Sequence, residues 1–255
     1  MLEILYQDET LVAIHKPAGL LVHRSVLDRH ETRFAVQLLR DQLGRRVQPV
    51  HRLDKGTSGV LLFAFEKSVA AAMAAQFESQ AVRKTYLAIV RGWPAASGVI
   101  DHALPIVRDE YELPAAAASA AQPARTAWRT LGEVELPICV DRYPSSRYAL
   151  LALFPETGRR HQIRRHLKHI AHPVIGDATY GKGRHNRMFA ERFGVGRLFL
   201  ASWRLQCQHP VNGAALDIHG PLAADFAQVV AALGWAEKLA AFTADNKLSS
   251  AVRSG

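Results

Sequence analysis

Apolar residues along the chain recur with two periods, one near two and one near 3.6, and the segments they mark are short. Leu2 to Tyr6 and Leu11 to His15 are apolar-rich runs separated by "QDET", and Pro17 and Gly19 in "KPAGL" end the pattern, which predicts an opening hairpin. Phe34, Leu38 and Leu39 stand at helical spacing in "RFAVQLLRDQLG", and Gly44 supplies the stop. The unbroken run from Val60 to Phe65 predicts a strand, and "KSVAAAMAAQFESQ" an Ala-rich helix capped by Ser68, with Met73 and Phe77 four residues apart. In "RKTYLAIVRG" the alternation is that of a strand, and the near-continuous apolarity predicts burial on both faces with Tyr86 on one defined face. Further strands are expected at Arg125–Val134, Tyr148–Phe154, Arg197–Ser202 and Leu205–Gln208, and helices at Gly158–Ile170 and Ala223–Leu233. The Ala- and Pro-rich stretch 109–124 has no sustained period and reads as a long surface excursion or lid. Residues 1–235 are expected to form one domain, and 236–255 a C-terminal tail, partly disordered. Strands outnumber helices in mixed order, which is an α+β (mixed α/β) pattern without internal repeats.

Composition then restricts the class of partner. A chain of 255 residues, 49% hydrophobic and 22% charged, can bury a sizeable core. Its 32 Lys and Arg against 23 Asp and Glu leave a formal charge of +9, which favours a polyanion, with nucleic acid ahead of an anionic membrane surface. The start "MLEILYQDETL" lacks an apolar signal core, and no stretch reaches the roughly 18 uncharged apolar residues of a membrane span, so no membrane role and a cytoplasmic location are expected. Cys139 and Cys207 have no CxxC spacing, which supports neither a disulfide framework nor a zinc ribbon.

Three segments hold candidate chemistry. From Arg159 to His169, "TGRRHQIRRHLKHIAH" has five Lys or Arg, three His and no acid, while Ile163, Leu167 and Ile170 mark one buried helix face. The remaining face is either a solvated cationic surface or a phosphate-binding one. His161, His166, His169 and His172 have metal-ligand character, but the neighbouring guanidiniums repel a cation and no carboxylate or thiol is near in sequence, so no metal is expected. "GDATYGKG" matches a phosphate loop from Gly176 to Lys182, yet Gly183 stands where a Ser or Thr hydroxyl is needed, and Asp177 would face the phosphates. HExxH, GxSxG and GxGxxG are absent. In "PVHRLDKGTSGVLLF", Asp54 is either a turn residue whose carboxylate accepts backbone N–H bonds or a reactive anion beside Arg52.

"HRLDKGTSG" resembles the signature of the RluA family of pseudouridine synthases, in which this Asp is the catalytic carboxylate. "KTYLAIVRG" is similar to the family's second motif, with its active-site Tyr, and "TGRRHQIRRHL" to its third, with the Arg that pairs with the Asp. "HPVIGDATYG" and "ILYQDETLVAIHKPAGLLVH" also fit, and the resemblance runs from about Leu2 to Pro221. The family shows Leu-His-Ala on a late strand, whereas this chain has Ala201 and Ser202 at the last two of those places, a departure that bears on local packing.

The resemblance implies a pseudouridine-synthase fold, a largely antiparallel bent sheet flanked by helices and loops, without an S4-like RNA-binding domain. It implies that Asp54, Tyr86 and Arg164 are catalytic, that no cofactor is used, and that Arg52, Arg159, Arg160, Arg165 and Lys168 contact RNA. The reaction breaks the N1–C1′ bond of a uridine, turns the base and rejoins it through C5, so no atom is gained or lost. A carboxylate, ionised at neutral pH, could open it by attack on C1′ or C6 or by taking the C2′ proton. Arg164 would orient it, Tyr86 would stack on the uracil and could help remove the C5 proton, and Arg52 would fill the place of the extruded nucleotide or contact it. "LLVHRSVLDR" and "YPSSRYALLALFPETGRRHQIRRHLKHI" resemble the members that modify uridine 65 of tRNA, where the T stem meets the acceptor stem. The expected partner is therefore tRNA, with no obligate protein partner and a monomeric state. An rRNA uridine in the same family, or RNA binding without catalysis, are the alternatives.

Overall fold

The computed structural model describes residues 1–23, 32–106 and 120–251, the last five as backbone alone. In chain order the elements are β1 (Glu3–Gln7), β2 (Leu11–Lys16), α1 (Ala35–Leu43), β3 (Gln48–Pro49), β4 (Ser58–Ala64), α2 (Lys67–Glu78), β5 (Arg83–Arg91) and β6 (Ser97–Asp101). They continue with β7 (Arg125–Leu136), β8 (Ser146–Pro155), α3 (Gln162–His169), α4 (Gly183–Phe193), β9 (Leu200–Gln208), β10 (Ala215–His219), α5 (Ala224–Ala232) and α6 (Ala236–Ala251). The strands form one sheet in the order β1-β2-β4-β9-β5-β8-β7-β6, with β3 on β4 and β10 on β9. Among the pairings of the described strands, β4–β9 is parallel and the others are antiparallel. The expected mixed α/β fold with a largely antiparallel sheet is the one observed.

The apolar runs explain which strands are central. Val60–Ala64, Leu87–Val90 and Ala149–Leu153 are wholly buried, as strands covered on both faces must be. On β4, Leu61 and Phe63 pack with Ala35 and Leu39 of α1, whereas Val60 and Leu62 pack with Val69 and Met73 of α2. On β5, Ala88 and Val90 meet Ile163 and Leu167 of α3, and Ile89 turns to Phe189 of α4 and Phe226 of α5. The period of two thereby puts Tyr86, Ala88 and Val90 on one face, and Tyr86 packs at the boundary between the α1 and α3 clusters. The opening hairpin and α1 with its Gly44 stop match expectation.

Several boundaries differ for identifiable reasons. Ser68 does not cap α2, which begins at Lys67 with Glu66 in the cap position and no side-chain capping bond. The two strands expected around Trp203–Arg204 are one strand, β9, because Arg204 is buried against Asp217 (Nε to Oδ1 2.7 Å) and its charge does not interrupt the ladder. Ala236–Ala251, within the stretch read as a C-terminal tail, is helix α6, and 252–255 lie outside the described residues. Its Leu239 and Phe242 reach Trp203, Leu87 and Ala152, and Ala is the best helix former, so two anchoring contacts suffice without a strong apolar period. β6, β10 and α4 were not expected from their patterns. Most of the stretch read as a lid, 107–119, lies outside the described residues, and a bridge between Leu104 and Gln122 closes its flanks.

The parallel junction determines where the loop before β4 emerges. Gly59 pairs with Ser202 at φ +107°, and a Cβ there would stand 2.0 Å from the Ser202 carbonyl oxygen, so only glycine allows this approach. We expect Gly59→Ala to lose on the order of 3 kcal/mol or more and to lower Tm by about 6 °C or more. Gly213→Ala, at φ +72° with open space around it, should lose only about 1 kcal/mol. Parallel thermal melts check the contrast; equal losses would contradict the close-approach explanation.

Candidate active site

The segment His51–Thr57 leaves β3 and turns back into β4. Its turn is closed by the main chain, Thr57 N–H donating to the Asp54 carbonyl (3.0 Å). Two side chains, Lys16 buried and His51 half-buried, hold it from behind. Lys16 Nζ donates to the carbonyls of Lys55 (3.1 Å), Pro17 (2.9 Å) and Leu20 (2.7 Å), tying the "KPAGL" bend to the residue after Asp54, and burial pulls its pKa down to about 7. His51 Nε2 accepts the Leu62 N–H (3.0 Å) while its ring stacks on Phe77; burial, with Lys84 nearby, pulls it to about 3, so it is neutral. The Asp54 carboxylate is left facing forward, 19% exposed.

Arg164 meets it from α3. Its Nη1 donates to Asp54 Oδ2 at 2.9 Å, while Nε and Nη2 grip Asp177 in a bidentate pair at 2.7 and 2.9 Å. Asp177 is 2% exposed and also accepts the N–H groups of Thr179 and Tyr180, both at 2.9 Å. Burial alone would raise the Asp177 carboxyl, but Arg164 and those N–H groups outweigh it and hold it below the usual carboxylate range. The segment that mimicked a phosphate loop therefore supplies an anchor for the arginine. α3 is itself fixed by buried polar side chains: Gln162 Nε2 donates to Arg125 O and Thr126 Oγ1, both at 3.0 Å, and His166 lies 3.0 Å from Thr126 Oγ1 and from the His102 carbonyl. The inward face of α3 is thus not only Ile163, Leu167 and Ile170.

Asp54, Arg164 and Tyr86 line one cleft of about 420 Å³ together with Arg52, Lys84, Arg159, Arg160 and His161. Its charged lining comprises five Lys or Arg against Asp54 and Glu78, and Val50, Leu53, Phe77, Ile163 and Leu200 give it apolar walls. Tyr86 is half-buried, and burial pushes its phenol up to about 12, with Ser202 working against the rise. Arg52 is exposed at the lip. Arg159 Nε reaches the Pro123 carbonyl at 3.1 Å. Arg165 and Lys168 do not line the cleft: Arg165 donates to the Pro105 carbonyl (2.9 Å), and Lys168 is exposed with its ammonium 5.8 Å from the centre of the Tyr180 ring. The four histidines considered as ligands disperse. His161 bonds Tyr180, His166 bonds Thr126, His169 stacks on His102, and His172 bonds the Arg91 carbonyl. Lys16, Lys84, Asp177 and His161 were not singled out from sequence as parts of this site; a cation buried directly before Pro17 and an acid directly after Gly176 are signals only once the chain is folded.

The Arg164–Asp177 pair yields a stability prediction. Asp177→Asn strands part of a buried positive charge and should cost roughly 3 kcal/mol at pH 7. A depressed carboxyl contributes stability above its unfolded pKa and loses it as pH falls through the folded one. The gap between wild type and variant should therefore narrow below about pH 4, and chemical denaturation across pH checks it; a gap independent of pH would contradict the pairing.

Known proteins resemble this chain over most of its length. The model of the RNA pseudouridylate synthase family matches residues 10–169. The tRNA pseudouridine synthase C of Vibrio cholerae is 47% identical over 240 residues, covering 94% of this chain and 98% of that protein. The proteins of that name from Pasteurella multocida (50% over 218 residues, 85% and 90%) and Pectobacterium carotovorum (49% over 239 residues, 92% and 63%) are similar, the chain spanning under two thirds of the latter. Among solved structures, human RNA pseudouridylate synthase domain containing 4 aligns with a TM-score of 0.66 at 27% identity over 91% of this chain and 92% of that one. With most of its length matched by such relatives, this chain belongs to the RNA pseudouridylate synthase family.

Proposed function

We propose that this protein converts a uridine of tRNA to pseudouridine, with Asp54 as the carboxylate that opens the reaction. The observation that carries the reading is the hydrogen bond between Arg164 and Asp54 in a cationic cleft that Tyr86 also lines. Attack on C1′ or C6, or removal of the C2′ proton, each needs an oriented anion against the sugar–base bond, and Arg164 gives Asp54 that orientation. Tyr86 stacks on the uracil; with a pKa near 12 it keeps its proton at neutral pH. The cleft volume suits one extruded nucleotide, and flipping costs a few kcal/mol that contacts must offset. Arg52 at the lip handles the flipped nucleotide or its vacated place, and Arg159 and Arg160 hold neighbouring phosphates, with Arg165 and Lys168 extending the cationic surface.

The tRNA substrate rests on the relatives named above, and the target uridine on the resemblance of the flanking segments to members acting at position 65. A uridine where the T stem meets the acceptor stem presents phosphates on several sides, and recognition would be of shape, because the deep A-form major groove hides base edges. The reaction needs no cofactor, and the reading is of a monomer acting in the cytoplasm.

Asp54→Asn removes the anion at nearly constant shape, so it should retain RNA binding and lose isomerisation, measured as tritium release from tRNA labelled at uridine C5; turnover near wild type would return Asp54 to the turn. Binding should weaken steeply with salt, and each phosphate contact removed, by Arg159→Ala or Lys168→Ala, should flatten the log–log slope by about 0.7 to 0.9. Deleting the gene should remove one tRNA pseudouridine, mapped across total tRNA and rRNA. Loss of an rRNA site with every tRNA site intact would refute the tRNA substrate.

A further inference from the structure

The isomerisation proposed above leaves one proton without an acceptor. After the base rejoins through C5, that carbon still carries hydrogen, and the aromatic ring returns only when the hydrogen leaves. Tyr86 is a poor acceptor, since it would first have to lose its own proton from a group near 12. His51 has its Nε2 lone pair occupied by the Leu62 N–H. Lys84 donates to the Thr157 carbonyl at 3.4 Å, and Glu78 lies exposed at the end of α2. Asp54 is held by Arg164.

His161 differs from all of these. It lines the cleft with Nε2 at 4.0 Å from Asp54 Oδ1, too far for a hydrogen bond, while Nδ1 lies 3.1 Å from Tyr180 Oη. Its backbone is left-handed, φ +54°, although it is not glycine. It holds the N-cap position of α3 but makes no side-chain capping bond, whereas N-caps ordinarily take extended backbone and cap. The uncommon left-handed backbone thus serves placement of the imidazole and not capping of the helix end, and such conformations collect at functional sites. The ring packs edge-on against Tyr180, whose N–H is held by Asp177. Burial lowers its pKa; Asp54 and Asp177 pull it up, and Arg164 and Arg160 push it down.

We infer that His161 is a further catalytic residue, the base that removes the C5 proton through Nε2. The inference rests on the proposed isomerisation. In the step, the C5–H bond breaks and its pair forms C5=C6, while the C6=N1 pair moves to N1, which takes a proton from solvent. Nε2 receives the C5 proton, and the imidazolium, facing Asp54 and Asp177, returns it to water as product leaves. Nδ1–H donates to Tyr180 Oη throughout, which fixes the tautomer with the Nε2 lone pair toward the cleft.

Two variants test this. Asn tolerates left-handed backbone better than other non-glycine residues, so His161→Asn should fold while lowering single-turnover isomerisation about 10²-fold, and the slowed step should show an isotope effect with uridine deuterated at C5 that wild type lacks. His161→Gly also accepts the backbone, and added imidazole should raise its rate. Turnover of His161→Asn near wild type, a loss without an isotope effect, or no response of His161→Gly to imidazole would overturn the assignment. Wild-type protein that releases no tritium from C5-labelled tRNA would contradict the proposed function itself, a result distinct from release that His161→Asn leaves unimpaired.

Discussion

A buried guanidinium shared by two carboxylates is the interaction on which the cleft depends. Asp177 has almost no exposure, and an ionised carboxylate in that setting is tolerable only when paired and hydrogen-bonded. The bidentate grip of Nε and Nη2 supplies the pairing and fixes the guanidinium plane, so Nη1 points at Asp54 as a consequence. The orientation of the Asp54 carboxylate is therefore set from behind, by an acid that faces no solvent. Gln162 and His166 anchor the helix carrying Arg164 to β7, and Lys16 anchors the loop carrying Asp54 to the bend after β2. Each side of the ion pair has its own mooring.

The cleft opens beside the parallel junction between β4 and β9. Where β4 meets β9, Gly59 permits a backbone approach that a side chain would block, and the turn before β4 opens next to β5. Tyr86 pairs across to Ser202 of β9 and Leu153 of β8, so rigid strands hold the ring while a loop and a helix terminus bring the charges. Apolar walls beside a cationic rim suit a flat base with a phosphate on either side. A cleft of that composition favours an extruded nucleotide over a small apolar ligand.

Much of the fold was legible because buried strands and amphipathic helices write their period locally. The run Val60–Phe65 and the stretch around Tyr86 read correctly since both faces are covered, and Gly44 stopped α1 as its left-handed φ demands. Edge and peripheral elements read poorly. β6 and β10 are half-exposed and short, and α6 depends on Leu239 and Phe242 finding Trp203. At the site, residue grammar left Asp54 undecided between a turn and a reactive anion, and only the resemblance of three separated motifs favoured the latter. The Asp54–Arg164 bond spans 110 positions, a distance over which no local pattern carries information. Asp177 read as an obstacle in a failed phosphate loop, and His161 as one of several histidines in a basic run, because their meaning lies in contacts made from different elements.

The dependence of Asp54 on a relayed orientation is most directly measured by a double-mutant cycle on single-turnover isomerisation, with Arg164→Lys, Asp177→Asn and the pair together. If Asp177 acts through Arg164, the double variant should lose little more than the worse single one, a coupling on the order of 1 kcal/mol or greater. Losses that multiply would show that the two residues act independently and would contradict the relay.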